Sequence, residues 1–132
     1  MQQGRLNRFF HSRELVCKCG CGLFNLNPDF LKILTKARRE AAVPFVVNSG
    51  CRCIPHNEAE GGTRLSGHIT GNAADIRTLD IDTMIAILRG AIIAGIPGIA
   101  LGATFVHLDN KARRMIKVYE GFTLTDRGLT IG

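Results

Sequence analysis

Tryptophan is absent from this chain, and tyrosine occurs once, at position 119. Without such rings, a platform on which nucleic-acid bases could stack is hard to assemble. Long apolar runs are also missing. The longest candidate, IAILRGAIIAGIPGIALGA at 85–103, is interrupted by Arg89, Pro97 and several glycines. It reads as a buried helix followed by a strand, not as a membrane span. The opening MQQGRLNRFFHSRE has no apolar centre of the length a secretory signal needs. The expectation is a chain made in the cytoplasm, with no membrane partner, that reaches another compartment only if a separate system releases it. Collagen-like, heptad and longer internal repeats are missing too. The five cysteines are an odd number, which excludes a framework in which every cysteine is paired within the chain.

What is present fits one globular domain over 1–132, with 1–13 as an N-terminal arm. The 132 residues are 45% hydrophobic, enough for a buried core without crosslinks. Lysine and arginine total 17 against 11 acidic residues, a net charge of +6. A positive surface favours anionic partners such as nucleic acid, anionic lipid or an acidic wall polymer. The charge is scattered over Arg5, Arg8 and Arg13, then Lys36, Arg38 and Arg39, then Lys111, Arg113 and Arg114. None of these groups is interleaved with aromatics, so a solvated basic face is expected and no nucleic-acid partner. A monomer is expected.

Cys17, Cys19 and Cys21 alternate in CKCGC, and Cys51 and Cys53 sit in GCRC. Cysteines one residue apart close a disulfide poorly. A metal cluster drawing on both CxC pairs is one reading, although structural zinc more often uses CxxC spacing. Buried free thiols, with one long-range pair between the two clusters, are the favoured one.

The apolar spacing predicts a helix over 28–42, capped by Asn27 with Pro28 in its first turn and Phe30, Leu31, Leu34 and Ala41 on one face. A strand is expected at 44–48, a helical turn or two at 55–62, and a strand at 72–78. A second helix is expected over 82–95, capped by Asp80 or Asp82, with Met84, Ile85, Leu88, Ile92 and Ile93 as its stripe. IPGIALG and TFVHLD predict two strands around Gly102, KARRMIKVYEG a turn and a further strand, and the tail from 123 is weakly specified. With no regular βαβ alternation, the class is α+β: a small, mostly antiparallel sheet with flanking helices.

Of the four histidines, His11 in the arm and His56 in a polar helix start read as structural or merely exposed. His68 lies in the glycine-bearing stretch SGHITGNAADI, with Asp75 seven positions on. His107 lies in TFVHLD, where Asp109 falls on the same strand face. A catalytic zinc site needs three protein ligands and one open position. His68, Asp75 and His107 would supply them, and small residues at 71, 73 and 74 would let the chain turn tightly beside the ion. On spacing alone, a core histidine plus a loop aspartate is an equal reading.

SGHITGNAADI resembles the pattern S-x-H-x-x-G-x-A-x-D of the M15-type zinc D-alanyl-D-alanine carboxypeptidases and L-alanyl-D-glutamate endopeptidases, at Ser66, His68, Gly71, Ala73 and Asp75. VNSGCRCIPHNEAEGG is similar to that family's V-N-S-G-Y-R-C-P-x-H-N segment, FVHLD to the segment carrying the last zinc ligand, and FFHSRELVCKCGCG to the N-terminal part of a compact branch. The resemblance covers residues 9–110. It implies a hedgehog/D-Ala-D-Ala-peptidase-like fold and a zinc peptidase acting on the stem peptide of bacterial peptidoglycan, as carboxypeptidase or endopeptidase. It implies Zn2+ on His68, Asp75 and His107, Arg52 as stabiliser of the oxyanion, and Ser66 beside the bound peptide. In relatives an acidic residue or histidine stands two or three positions before the last zinc histidine; here those positions are Phe105 and Thr104. Asp109 is therefore taken as the acid–base group, with a role in orienting His107 as the alternative and Glu58 and Glu60 as further candidates. A catalytically inactive wall-binding or virion module is the alternative function. The lack of a signal fits a phage or prophage lysis protein acting on the cell wall.

Overall fold

Asn27 begins the first long helix as the sequence requires. Its side-chain oxygen accepts the backbone N–H groups of Asp29 and Phe30, and Pro28 occupies the first turn, where no N–H is needed. The computed structural model describes residues 4–119, 123–125 and 128–130. In it this helix, α2 (Pro28–Ala41), follows a single turn, α1 (Ser12–Leu15). Asn27→Ala is expected to lower the unfolding free energy by about 1 kcal/mol, measured by urea denaturation at unchanged m-value.

The other elements are β1 (Val47–Ser49), α3 (Ile54–Ala59), β2 (Ala73–Arg77), α4 (Ile81–Ala94), β3 (Gly98–Leu101), β4 (Phe105–Asp109), β5 (Met115–Val118), β6 (Thr123–Thr125) and β7 (Gly128–Thr130). The first five strands form one sheet in the order β1-β2-β4-β3-β5, antiparallel except for the parallel β3–β5 edge; β6 and β7 pair separately. This is the α+β class expected. No helix among the described residues is long and apolar enough to cross a membrane.

In the N-terminal segment Phe10 and Leu15 are buried in the core, and His11 caps α1 by accepting the Arg13 N–H while Glu14 accepts the His11 N–H. Two expectations need correction. The first strand runs over 47–49 instead of 44–48, since Pro44 has no N–H to give a ladder and Ser49 pairs opposite Asp75. The buried face of α4 is Met84, Ile87, Gly90, Ala91 and Ala94, while Ile85, Ile92 and Ile93 are exposed. Close helix packing decides this. A Cβ on Gly90 would lie 2.4 Å from the Ala37 carbonyl oxygen of α2, so the small-residue face of α4 is the one that fits against α2.

The sheet has two different faces. Ala74 and Ile76 of β2, Ile99 and Leu101 of β3, and Val106 and Leu108 of β4 point into the core with Phe30, Leu34 and Met84. The alternate residues point the other way. Register places Asp75 opposite His107, and Ala73 opposite Asp109. One period-two pattern thus builds the core and gathers the polar residues on the open face.

Candidate active site

The loop before β2 is held by its backbone. Gly71 has φ +73°, and a Cβ there would lie 2.0 Å from the Asn25 carbonyl oxygen, so only glycine fits. Asn27 donates its N–H to the Gly71 carbonyl, Asn72 to that of Gly67, and Arg52 to that of His68. Ser66 Oγ accepts the His68 N–H at 3.2 Å, the loop-capping use of that hydroxyl, and Ser66 also lines the cleft.

His68 is buried, and its Nδ1 lies 2.7 Å from the Gly50 carbonyl oxygen. A carbonyl only accepts, so this contact assigns the proton to Nδ1 and leaves the Nε2 lone pair 3.3 Å from Asp75 Oδ1. His107 is arranged the other way round. Its Nε2 lies 2.8 Å from Asp109 Oδ2, and its Nδ1 lies 2.8 Å from Asp75 Oδ1. Two imidazole nitrogens therefore converge on one carboxylate oxygen, and all three ligand atoms lie within 4.8 Å of one another. A lone pair facing a carboxylate is repulsive unless a proton or a cation stands between them. Two imidazoles and one carboxylate also form a donor set that suits a divalent zinc with an open position, and the residues present fit that ion.

Asp109 is buried, with both oxygens engaged. Arg113 donates NH1 to Oδ1 at 3.0 Å and NH2 to Oδ2 at 3.2 Å, and Lys111 donates its backbone N–H to Oδ1. Arg52 is only 8% exposed. Its Nε donates to Ser49 Oγ at 2.8 Å, NH1 to Asn57 Oδ1 at 3.2 Å, and NH2 to Asp75 Oδ2 at 3.1 Å. Arg52, His68, Asp75, His107 and Asp109 line a cleft of about 520 Å³ whose walls include Glu60, Phe105, Lys111, Lys117 and Tyr119; Glu58 does not line it.

The protonation states follow from this packing. Burial alone would raise Asp75, but hydrogen bonds and charge from His107 and His68 hold it well below the usual carboxylate range. Burial likewise raises Asp109, and His107 and Arg113 outweigh it downward. Burial lowers His107, but Asp109 and Asp75 push it up to about 9. In the metal-free chain His107 is then expected to stay protonated through neutrality and titrate near pH 9, read from its ring C–H shifts by NMR. The sign is that of a raised pKa: this group's stabilisation is complete below its ordinary value of about 6.5 and is lost as pH rises through 9. A ring that titrates near 6.5 would show that the two carboxylates do not hold it.

A family model described as Peptidase M15 matches residues 8–109. The chain belongs to the M15 peptidase family. Among solved structures, the Serratia marcescens L-Ala D-Glu endopeptidase ChiX is similar, at 24% identity over 64% of this chain and 80% of that one, with a TM-score of 0.47. A search of curated proteins finds no match.

This M15 peptidase carries a possible metal site formed by His68, Asp75 and His107. Sequence reasoning misses the groups that hold those three. Gly50 acts through its carbonyl, which has no residue signature. Ser49 and Asn57 brace Arg52. Arg113 falls among the basic residues expected to be solvated, and its position four after Asp109 is the one signal of its role.

Proposed function

We propose that this M15 peptidase is a zinc enzyme that hydrolyses a peptide bond in the stem peptide of bacterial peptidoglycan. The observation that carries the reading is the convergence of His68 Nε2 and His107 Nδ1 on Asp75 Oδ1, with the opposite nitrogen of each ring already bonded. Zinc bound there would supply a Lewis acid for the scissile carbonyl and lower the pKa of a bound water to about 7. Arg52 has five N–H groups and spends three on Ser49, Asn57 and Asp75. The remainder are available to a carbonyl oxygen as it turns negative. Asp109, with both oxygens committed, takes the role of orienting His107 in place of moving a proton. Lys111 and Lys117 on the cleft wall favour a peptide bearing carboxylates, as stem peptides do.

The test is zinc analysis of the wild type and His68→Ala, with amine release from purified peptidoglycan assayed in parallel. The variant is expected to lose one zinc equivalent and all cleavage. Full activity in His68→Ala would sink the assignment.

A second reading, a wall-binding module without turnover, is favoured by one observation. Thr104 and Phe105 offer no group to take a proton, and both oxygens of Asp109 are occupied. It predicts a wild type that holds zinc and binds wall fragments without cutting them.

A further inference from the structure

The cysteines are not the uniformly buried thiols, with one long-range pair, that the sequence suggests. Cys19 and Cys21 are exposed, Cys17 and Cys51 are buried, and no disulfide joins any of the five. Cys17, Cys19 and Cys53 meet near the start of α3. Their sulfurs stand 3.5 Å (17–19), 3.8 Å (17–53) and 3.7 Å (19–53) apart. His56 turns its Nδ1 to 3.1 Å from Cys17 Sγ, and its side chain is only 12% exposed.

Those lengths have a physical reference. Zinc bonds of about 2.3 Å to sulfur and about 2.0 Å to nitrogen set tetrahedral sulfurs roughly 3.8 Å apart and sulfur roughly 3.5 Å from nitrogen. The observed edges agree to within a few tenths of an ångström. A disulfide would instead draw two sulfurs to about 2.05 Å and leave the third outside. We propose that Cys17, Cys19, Cys53 and His56 form a second, structural zinc site, separate from the cleft.

Outer contacts fit this assignment. His56 Nε2 lies 3.2 Å from Glu60 Oε1, which fixes the proton there and frees Nδ1 for a metal, as ligating histidines are usually held. Cys53 donates its backbone N–H to Cys17 Sγ at 3.4 Å, support for a thiolate. Cys21 is the competing fourth ligand, since its sulfur is within 4.8 Å of the other three. It is exposed and accepts the Leu23 N–H, whereas His56 is largely enclosed and turned toward Cys17, so the fourth position is given to His56.

The site has a consequence for the cleft. Cys17 and Cys19 follow α1, and Cys53 and His56 flank and begin α3, so the ion crosslinks the N-terminal segment to the stretch carrying Arg52 and Asn57. The Cys51 N–H already reaches the Leu15 carbonyl at 2.9 Å, and the metal would fasten the same junction. This crosslink does what a disulfide does, without requiring an oxidising compartment.

The experiment uses the full chain, purified reduced with zinc and then dialysed, or exchanged with cobalt. Wild type should carry two zincs per chain, and the cobalt form should show thiolate-to-metal charge transfer in the near ultraviolet. His68→Ala should retain one zinc and the whole thiolate band. Cys53→Ser should lose the band and one zinc. His56→Ala should lose zinc to a chelator faster than wild type and alter the visible cobalt spectrum, and Cys21→Ser should do neither. If Cys53→Ser fails to fold, the zinc-loaded Cys21→Ser chain decides: Cys17, Cys19 and Cys53 should react with a thiol reagent only after chelation. Zinc without a thiolate band, free reaction of Cys17, Cys19 or Cys53 in the zinc-loaded chain, or a disulfide between the clusters would overturn the site. Zinc loss in Cys21→Ser with normal retention in His56→Ala would overturn the place given to His56.

Discussion

Replacing Asp75 by asparagine is expected to empty the cleft site and to lower kcat/KM by at least ~10³-fold, about 4 kcal/mol of transition-state stabilisation. Asp75 is the point on which the constellation turns. Its Oδ1 faces both imidazole nitrogens, and its Oδ2 takes the Arg52 guanidinium. Asparagine keeps the shape and loses the charge. Two neutral imidazoles and a weak amide oxygen hold a divalent ion poorly. The same change strips His107 of one of the two carboxylates that hold its proton, so its titration in the metal-free variant should move down from about 9. Zinc content, peptidoglycan cleavage and circular dichroism on one preparation check this. A well-folded Asp75→Asn chain with full zinc and unchanged kcat/KM would remove Asp75 from the ligand set. Because the cysteine cluster shares no ligand with this one, Asp75→Asn should keep the thiolate-bound zinc, and one ion should remain.

Arg52→Lys is expected to leave zinc in the cleft and to reduce kcat by about 10²–10³-fold, with a smaller change in KM. Lysine keeps the positive charge, but a single ammonium cannot reach Ser49, Asn57 and Asp75 and still face a substrate carbonyl. The split between kcat and KM is the informative reading. A group that meets the carbonyl oxygen only as charge develops on it should act on kcat. If zinc is lost as completely as in Asp75→Asn, the role of Arg52 is to hold Asp75. Unchanged kcat would exclude it from the reaction.

Part of the fold and of the site is legible in the residues themselves. Asn27–Pro28 announces the start of α2, and the alternation in FVHLD announces a strand with one apolar face. The SGHITGNAADI motif places an imidazole, a required glycine and a carboxylate in order, and the fold brings them together as that order suggests. The stripe expected on α4 differs from the buried one because isoleucines look like core, whereas the helix crossing rewards small residues at Gly90, Ala91 and Ala94. Asp109 reads as a proton carrier in the sequence because it is the nearest carboxylate to His107. Arg113, which occupies it from four residues away, becomes visible only when β4 and the turn after it are in place.

Side-chain chemistry and local backbone geometry suffice to set the kinds of ligand, their order along the chain and the period-two separation of apolar from polar faces. Each of these is a property of a short stretch, so the amino-acid order alone carries it. Which nitrogen of each histidine faces Asp75 is settled only by the assembled fold. That choice rests on the Gly50 carbonyl and on Asp109, and a backbone acceptor leaves no trace in residue identity. The meeting of Cys17 and Cys19 with Cys53 and His56, across more than thirty positions, is likewise tertiary. It is fixed by how the N-terminal segment docks against the Arg52 loop and by nothing within either motif.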